Sequence, residues 1–157
     1  DDISVKQIQN QINELTDKDL IFFNRVRSQS REFLHDKSNY SLKQTEKWFK
    51  QLMWPYFIIS IDGEKIGYFR TSNWKENSLY LGMDIDPKYR GNGYAIRAYT
   101  KMFDLLKKEY KIKLVFLEVL ESNLRAHHIY KKLGFREIES IRYDKNENSI
   151  KMKLEIA

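Results

Sequence analysis

The sequence predicts a mixed α/β fold of the α+β kind. The segments YFIISI and KIGYFRTS flank an Asp62-Gly63 turn, and this combination is a strong hairpin signal. Farther along, strand and helix patterns alternate between residues 78 and 144, which predicts that part of the sheet is parallel. The chain has 157 residues with no internal repeat and no linker, so we expect a single domain over residues 1–157.

Capping boxes predict two helices in the N-terminal half. Thr16 and Asp19 have the spacing of such a box, and the helix that they open runs to about Arg27. Ser41 and Gln44 form a second box, followed by an aromatic run. In each box the two side chains satisfy backbone N–H groups that a helix start leaves unpaired, so each pair marks a helix N-terminus.

The other strands are short runs rich in β-branched and aromatic residues. ISVKQI is a weak first strand, and SLYLGMDID follows the hairpin and stops before a proline. KLVFLEV comes next, and FREIESIRY and SIKMKLEI form a final antiparallel pair around DKNEN. Before this pair lies a short helix, ended by Gly134, whose apolar positions are Ala126, Ile129, Tyr130 and Leu133.

The segment YRGNGYA, residues 89–95, opens the longest predicted helix. Apolar residues follow at helical spacing, at Ala95, Ala98, Tyr99, Met102, Phe103 and Leu106. A helix start carries unpaired N–H groups and a partial positive charge, and glycines let a phosphate approach them closely. A plain glycine turn gives the same short motif, so this segment alone leaves both interpretations open.

Composition limits the classes of protein that the chain can belong to. The absence of cysteine excludes disulfides and a cysteine nucleophile, and three histidines without metal-ligand spacing predict no metal. No apolar run approaches the ~20 residues of a membrane span and no signal peptide is evident, so we expect a cytoplasmic protein without a membrane partner. The net charge of +6 is spread along the chain without a nucleic-acid-binding motif, so no nucleic-acid partner is expected.

Two motifs occur in a fixed order in the second half of the chain. The first, RGNGYA, carries Arg90, Gly93 and Ala95. The second is VLESNLRAHHIYKKLGF, with Val119, Asn123, Ala126, Tyr130, Gly134 and Phe135. Separated by a helix and a strand, they resemble the two signatures of the GNAT superfamily of acyl-CoA-dependent N-acetyltransferases, most clearly over residues 79–135. RSQSREFLHDKSNYSLKQTEKWF resembles, more loosely, the bacterial branch that includes amino-sugar and ribosomal-protein acetyltransferases.

The resemblance implies a mostly antiparallel, twisted sheet with helices on both faces, in which two central parallel strands splay apart. SLYLGMDID and KLVFLEV would be these strands. The gap would admit acetyl-CoA as co-substrate, with its pyrophosphate on the loop N–H groups and its pantetheine along a strand edge. The cofactor-binding residues implied in this way are Met83, Asp84, Ile85, Arg90, Gly91, Asn92, Gly93, Tyr94, Ala95, Asn123 and Tyr130.

Tyr130 is the catalytic side chain that the resemblance implies. A phenol within hydrogen-bond reach can protonate or stabilise the departing CoA thiolate. Its place on a helical stripe is also typical of a core residue, which is the alternative. Asn123 stands at the start of the same helix, where it is expected to act as an N-cap, to bind a pantetheine amide, or both.

The general base is the point at which the sequence departs from the family. The family often places a glutamate on the strand before the phosphate loop, but Leu79 and Tyr80 stand there. Asp84 and Glu118, on the splayed strands, are the catalytic substitutes, although each is also compatible with a strand charge that only faces solvent. A chain of waters leading to bulk solvent is a further possibility.

The acceptor site of this fold is built from the N-terminal half of the chain. His35 and Asp36 lie there, and an imidazole can serve as a base near neutral pH. His127 and His128 are expected on the solvent side of the short helix. Arginines would suit a phosphate or carboxylate on the acceptor. Candidates for the lining of the site are Arg27, Arg31 and Trp48.

The implied activity is direct transfer of an acetyl group from acetyl-CoA to a primary amine within a ternary complex. A small amine such as a nucleotide-linked amino sugar is the first expectation for the acceptor, followed by a protein N-terminus and then by a polyamine or aminoglycoside. The missing strand glutamate keeps open a non-catalytic acyl-CoA-binding regulatory domain. Because dimers are common in the family, a homodimer is an open expectation.

Overall fold

A computed structural model describes residues 2–8 and 16–157 of the chain. Its helices are α1 Asp17–Ser30, α2 Leu42–Lys50, α3 Tyr94–Tyr110 and α4 Leu124–Leu133, with 3-10 turns at Arg31–Phe33 and Pro87–Tyr89. Its strands are β1 Ile3–Ile8, β2 Tyr56–Ile61, β3 Glu64–Lys75, β4 Ser78–Ile85, β5 Leu114–Leu120, β6 Arg136–Asp144 and β7 Glu147–Glu155. Within these described ranges, the strands form one sheet in the order β1-β2-β3-β4-β5-β7-β6.

Both predicted capping boxes are confirmed. The Asp19 N–H donates to the Thr16 hydroxyl at 3.1 Å, and the Thr16 N–H donates to the Asp19 carboxylate at 3.2 Å. Ser41 and the residue three positions later make the same reciprocal pair at the start of α2. α1 continues past its predicted end to Ser30, because the helix face that carries Val26 and Ser30 stays buried.

The sheet is antiparallel except between β4 and β5, as predicted. Those two strands are in parallel register at Ser78 with Leu114 and at Tyr80 with Phe116, and their paired register ends there. Beyond Tyr80 the two strands diverge. The side of β4 that faces β5 is therefore left with backbone N–H and C=O groups that have no strand partner, a feature that a bound amide chain can use.

Helices cover both faces of the sheet. Because side chains alternate along a strand, one set of strand residues packs against α3 and the other set packs against α1 and α2. The α3 face is a hydrophobic core that includes Phe69, Leu79, Val115, Leu117, Met152 and the α3 residues Ala98, Tyr99, Met102 and Leu106. The opposite face buries a smaller, largely aromatic cluster of Phe23, Val26, Phe49, Tyr56 and Tyr68. None of the helices in the described ranges is long and apolar enough to span a membrane.

Close approach of β3 to β4 requires a glycine at position 67. A Cβ there would lie 2.4 Å from the carbonyl oxygen of Asp84 and 3.1 Å from the Cα of Ile85. Because these obstacles are backbone atoms, the strands would have to separate. We therefore expect Gly67→Ala to lower the free energy of unfolding by about 3 kcal/mol, measured by denaturant titration. Ser72→Ala on the same strand should change it by less than ~0.5 kcal/mol, and equal effects of the two changes would contradict this explanation.

Candidate active site

A cleft of about 420 Å³ opens where β4 and β5 diverge. We call it the loop cleft, because the loop before α3 forms one of its walls. It is lined by the residues that the resemblance marks for cofactor binding, with the exception of Asn92, whose side-chain amide donates to the Arg90 carbonyl at 3.3 Å. The residues brought together are Met83, Asp84, Ile85, Arg90, Gly91, Gly93, Tyr94, Ala95, Asn123 and Tyr130.

The wall of the loop cleft at the start of α3 is shaped to receive an anion. Gly91 and Gly93 have left-handed φ angles of +82° and +76°, and a Cβ built on Gly93 meets nothing within 4 Å. Gly93 is the N-cap and provides no side-chain cap. The N–H of Arg97 donates to the Gly93 carbonyl at 3.4 Å, so the N–H groups of residues 94–96 precede this bond and point out of the helix start.

The Arg90 side chain is bound by the end of β4 and the end of α1. Its Nε donates to the Ile85 carbonyl at 3.2 Å, and its Nη2 donates to the Ser30 hydroxyl at 3.0 Å. The guanidinium also lies over the Phe33 ring at 5.7 Å. Burial lowers the pKa of Arg90. Arg90 therefore ties the end of β4 to the end of α1 and fixes the loop backbone.

Two cations of α4 add positive charge to the loop cleft. Arg125 and Lys132 line the loop cleft, and a Cβ on Gly91 would lie 3.5 Å from Arg125 Nη2. Sequence reasoning did not identify either residue, because they stand on what reads as the polar, solvent-facing side of a short helix. They supply positive charge next to the bare helix start.

A second cavity, of about 550 Å³, adjoins the loop cleft. We call it the strand cavity. Its floor consists of alternate residues of β3, β4 and β5 that face away from α3, namely Arg70, Tyr80, Gly82, Asp84 and Glu118. His35, Trp48, Met53 and Trp54 form its rim. The two cavities share the lining residues Phe33, Met83, Asp84, Asn123 and Tyr130, so they meet beside the tyrosine.

Tyr130 stands at the junction of the two cavities. Its hydroxyl lies 3.4 Å from the Tyr99 hydroxyl, and its ring packs edge-on against those of Tyr99 and Phe135 at 5.8 and 5.7 Å. Burial raises the pKa of Tyr130, so the phenol keeps its proton at neutral pH. Asn123 caps α4 by accepting from the Ala126 N–H at 3.2 Å, and it faces both cavities.

Asp84 is engaged by an arginine that the sequence did not reveal. Its two carboxylate oxygens accept from Arg70 Nε at 3.2 Å and Nη2 at 3.3 Å, and the residue is only 5% exposed. The guanidinium lies across Gly82, where a Cβ would be 2.6 Å from its Cζ. This arrangement differs from the expected free base, because the carboxylate is an anchor for Arg70 on the cavity floor.

His35 and Glu118 both line the strand cavity, His35 at its rim and Glu118 in its floor. His35 Nε2 is 2.8 Å from the Ser149 hydroxyl, and the Tyr143 hydroxyl donates to the His35 carbonyl at 2.5 Å. Burial lowers the pKa of His35, so its imidazole is neutral at pH 7 and retains a lone pair. Glu118 is exposed to the cavity from β5.

Of the other N-terminal candidates, Trp48 lines the strand cavity, whereas Arg27, Arg31 and Asp36 do not. Arg27 donates to the carbonyls of Ser38 and Asp36 at 2.6 and 2.9 Å, so it holds the loop before α2. The Tyr40 hydroxyl donates to Asp36 and thereby lowers the pKa of that carboxyl to about 2. Neither Arg27 nor Asp36 lines the strand cavity, and Arg31 is exposed outside it, whereas Trp48 does line it.

One expectation for the α4 histidines is wrong. His128 is exposed as predicted and lines the loop cleft. The side chain of His127 is only 13% exposed, because it turns toward β6, where its Nδ1 lies 4.0 Å from a carboxylate oxygen of Glu137. Within residues 2–8 and 16–157, no cluster of three or more histidine or carboxylate side chains is arranged to hold a metal ion.

Known proteins match this chain over much of its length. The model of the acetyltransferase (GNAT) family matches residues 22–135. An N-alpha-acetyltransferase of Sulfurisphaera tokodaii is 29% identical over 100 residues, which are 56% of this chain and 60% of that protein. A spermidine N(1)-acetyltransferase of Escherichia coli K12 is 33% identical over 81 residues, which are 50% of this chain and 44% of that protein. The chain thus spans about half the length of these relatives.

Solved structures share the fold over nearly the whole chain. Spermidine N-acetyltransferase from Vibrio cholerae, in complex with CoA and spermine, has a TM-score of 0.81 at 18% identity and covers 98% of this chain and 95% of its own. A GNAT-family acetyltransferase from Bacillus anthracis has a TM-score of 0.79 at 16% identity, with the same coverage of 98% and 95%. These identities show the fold alone, but the family model covers most of the sequence. The chain therefore belongs to the GNAT acetyltransferase family.

Proposed function

We propose that this chain transfers an acetyl group from acetyl-CoA to a primary amine by direct attack within a ternary complex. One observation carries the proposal: the loop cleft and the strand cavity meet at Tyr130. A thioester that enters through the cleft and an amine that enters through the cavity would reach the same phenol. Family membership, and the names of the two sequence relatives, support this type of reaction.

The loop cleft would hold acetyl-CoA. Its pyrophosphate would lie on the N–H groups at the start of α3, with Arg125 and Lys132 beside it. Its pantetheine amides would pair with the free edge of β4 around Met83 and Ile85, as a peptide adds to a sheet edge. A backbone N–H of that edge would then donate a hydrogen bond to the thioester carbonyl oxygen and stabilise its developing negative charge.

The transfer needs one proton donor and one proton acceptor. The amine nitrogen attacks the thioester carbon, a C–N bond forms, and the tetrahedral intermediate expels the CoA sulfur as the C–S bond breaks. We assign donation of a proton to that sulfur to Tyr130, whose phenol is protonated at neutral pH. We assign acceptance of the amine proton to His35 or Glu118, since Asp84 is bound by Arg70.

The pH dependence of kcat/KM would identify the proton acceptor. Because burial holds the pKa of His35 below 6.5, a His35 base stays unprotonated as the pH falls through 6.5, and activity is lost only at lower pH. We expect His35→Gln to remove this acidic limb and to lower the plateau by about a hundredfold. Glu118→Gln is the matched variant. If the limb persists in His35→Gln and disappears in Glu118→Gln, the glutamate is the base.

The acceptor is proposed as a primary amine without a further name. The relatives are named as an N-alpha-acetyltransferase and a spermidine N(1)-acetyltransferase, so their names give no support to the amino-sugar acceptor that the sequence suggests. A regulatory domain that binds acetyl-CoA without turnover is the second candidate. It is favoured by the absence of a glutamate at positions 79 and 80, where a buried leucine and a tyrosine stand.

Calorimetric titration with acetyl-CoA, free CoA and a long-chain acyl-CoA, followed by an amine screen, tests the proposal. We expect micromolar binding of acetyl-CoA and release of free CoA thiol with at least one amine. Binding of acetyl-CoA without thiol release in any mixture would favour the regulatory domain. Absence of binding to all three compounds would overturn both functions.

A further inference from the structure

Each acidic side chain in the floor of the strand cavity has a positively charged side chain of the same chain next to it. Both oxygens of Asp84 accept from Arg70 at 3.2 and 3.3 Å. Glu118 lies directly opposite Lys151 in the register of β5 with β7. Lys151 is also opposite Glu139 of β6, so it stands between two carboxylates of neighbouring strands on one face of the sheet.

Aromatic rings complete the surroundings of Lys151. Tyr80 and Phe116 stack with their centroids 5.3 Å apart and 28° between their planes. The Lys151 ammonium lies 5.2 Å from the Tyr80 centroid and 5.0 Å from the Phe116 centroid, within the range of cation–π contact. A hydrogen bond to Tyr80 raises the pKa of Lys151, so its charge is retained. We call Tyr80, Phe116 and Glu118 the ammonium box, which Lys151 fills.

The ammonium box opens on the strand cavity, because Tyr80 and Glu118 belong to the cavity floor. An acceptor with a second positive charge would be drawn to this box, where it would meet the fixed charge of Lys151. Juxtaposed like charges disfavour binding and are a common means of rejecting a wrong partner. An acceptor whose remaining part is uncharged meets no such repulsion, and the rings of Trp48 and Trp54 offer it apolar surface.

We infer that Lys151 determines acceptor specificity: by filling the ammonium box, it favours primary amines whose remaining part carries no positive charge. This inference rests on the proposed acetyl transfer. It separates the chain from polyamine acceptors such as the spermidine of its named relative.

The test compares kcat/KM for two acceptors, spermidine and a short neutral peptide whose α-amino group is its single amine. Lys151→Gln vacates the box and leaves Glu118 unmatched, so the spermidine-to-peptide ratio should rise about tenfold. Lys151→Arg keeps the positive charge and should keep the wild-type ratio. Lys101→Gln makes the same charge change at an exposed site of α3, on the opposite face of the sheet, and should leave the ratio unaltered.

The outcomes separate this inference from the proposed function. An unchanged ratio in Lys151→Gln, an equal rise in Lys101→Gln, or a loss of the peptide preference in Lys151→Arg would overturn the role of Lys151 and leave acetyl transfer intact. A wild-type preference for spermidine over the peptide would do the same. If no variant released CoA with either acceptor or with any amine of the screen, the proposed function and the inference would both fall.

Discussion

Tyr130→Phe is expected to lower kcat by about a hundredfold or more while leaving the affinity for acetyl-CoA unchanged. The change removes the hydroxyl at the junction of the two cavities and leaves the ring in its packing against Tyr99 and Phe135. Without that hydroxyl, the departing thiolate loses its proton donor, although the surfaces that hold the cofactor remain. Steady-state rates of thiol release and calorimetric titration with acetyl-CoA give the two quantities.

Tyr99→Phe is the matched control for this change. The Tyr99 ring is fully buried in the α3 core, and its hydroxyl lies 3.4 Å from the Tyr130 hydroxyl. The change removes this hydroxyl and leaves the ring in place. If Tyr130 acts as the acid, Tyr99→Phe should keep kcat within about tenfold of the wild type. Equal losses in the two variants would instead point to the hydroxyl pair as a packing element, and Tyr130 would then be a core residue.

Gly93→Val is expected to weaken acetyl-CoA binding by about a hundredfold, because charge-assisted hydrogen bonds to the pyrophosphate would be lost. Nothing lies within 4 Å of a Cβ built on Gly93, and in the proposed function a phosphate would pass through this space to reach the start of α3. Calorimetric titration measures the change in Kd. If the variant bound acetyl-CoA as tightly as the wild type, we would conclude that YRGNGYA is a structural turn and does not bind the pyrophosphate.

A matched glycine separates loss of the phosphate site from backbone strain. Gly63, in the β2–β3 hairpin, has φ +83° and nothing within 4 Å of its Cβ, close to the φ of +76° and the open space at Gly93. Gly63→Val should therefore incur a similar conformational cost of about 1–3 kcal/mol. It should leave the Kd for acetyl-CoA unchanged, and thermal melting of the two variants checks that their stabilities are comparable.

Local signals in the sequence were sufficient for most of the fold. The Asp62-Gly63 turn, the two capping boxes and the helical stripe after Gly93 each act through neighbours in the chain, and each is confirmed. α1 extends beyond its predicted end near Arg27 to Ser30, because burial of Ser30 depends on contacts from elsewhere in the fold. Chain order predicted only that part of the sheet is parallel, and the resemblance to the family identified β4 and β5 as the parallel pair.

Side-chain contacts that depend on the register between strands could not be predicted. Arg70 reaches Asp84 only because β3 and β4 are aligned with Gly82 beneath the guanidinium. Lys151 lies over the rings of Tyr80 and Phe116 only because β7 lies beside β5, between β5 and β6, which their order in the chain does not reveal. Arg125 has no partner within its own helix that would mark it. No motif or spacing in the sequence identifies these side chains, although they determine the charge of the site.

Two-substrate initial-rate kinetics tests direct transfer at the junction of the two cavities most directly. The rate of CoA thiol release would be measured over a grid of acetyl-CoA and amine concentrations, with an amine chosen from the screen. If both substrates occupy the loop cleft and the strand cavity together, double-reciprocal plots should intersect, and no acetyl group should remain on the protein when the amine is left out. Parallel lines with an acetylated protein would contradict direct transfer at Tyr130 and would require a covalent intermediate.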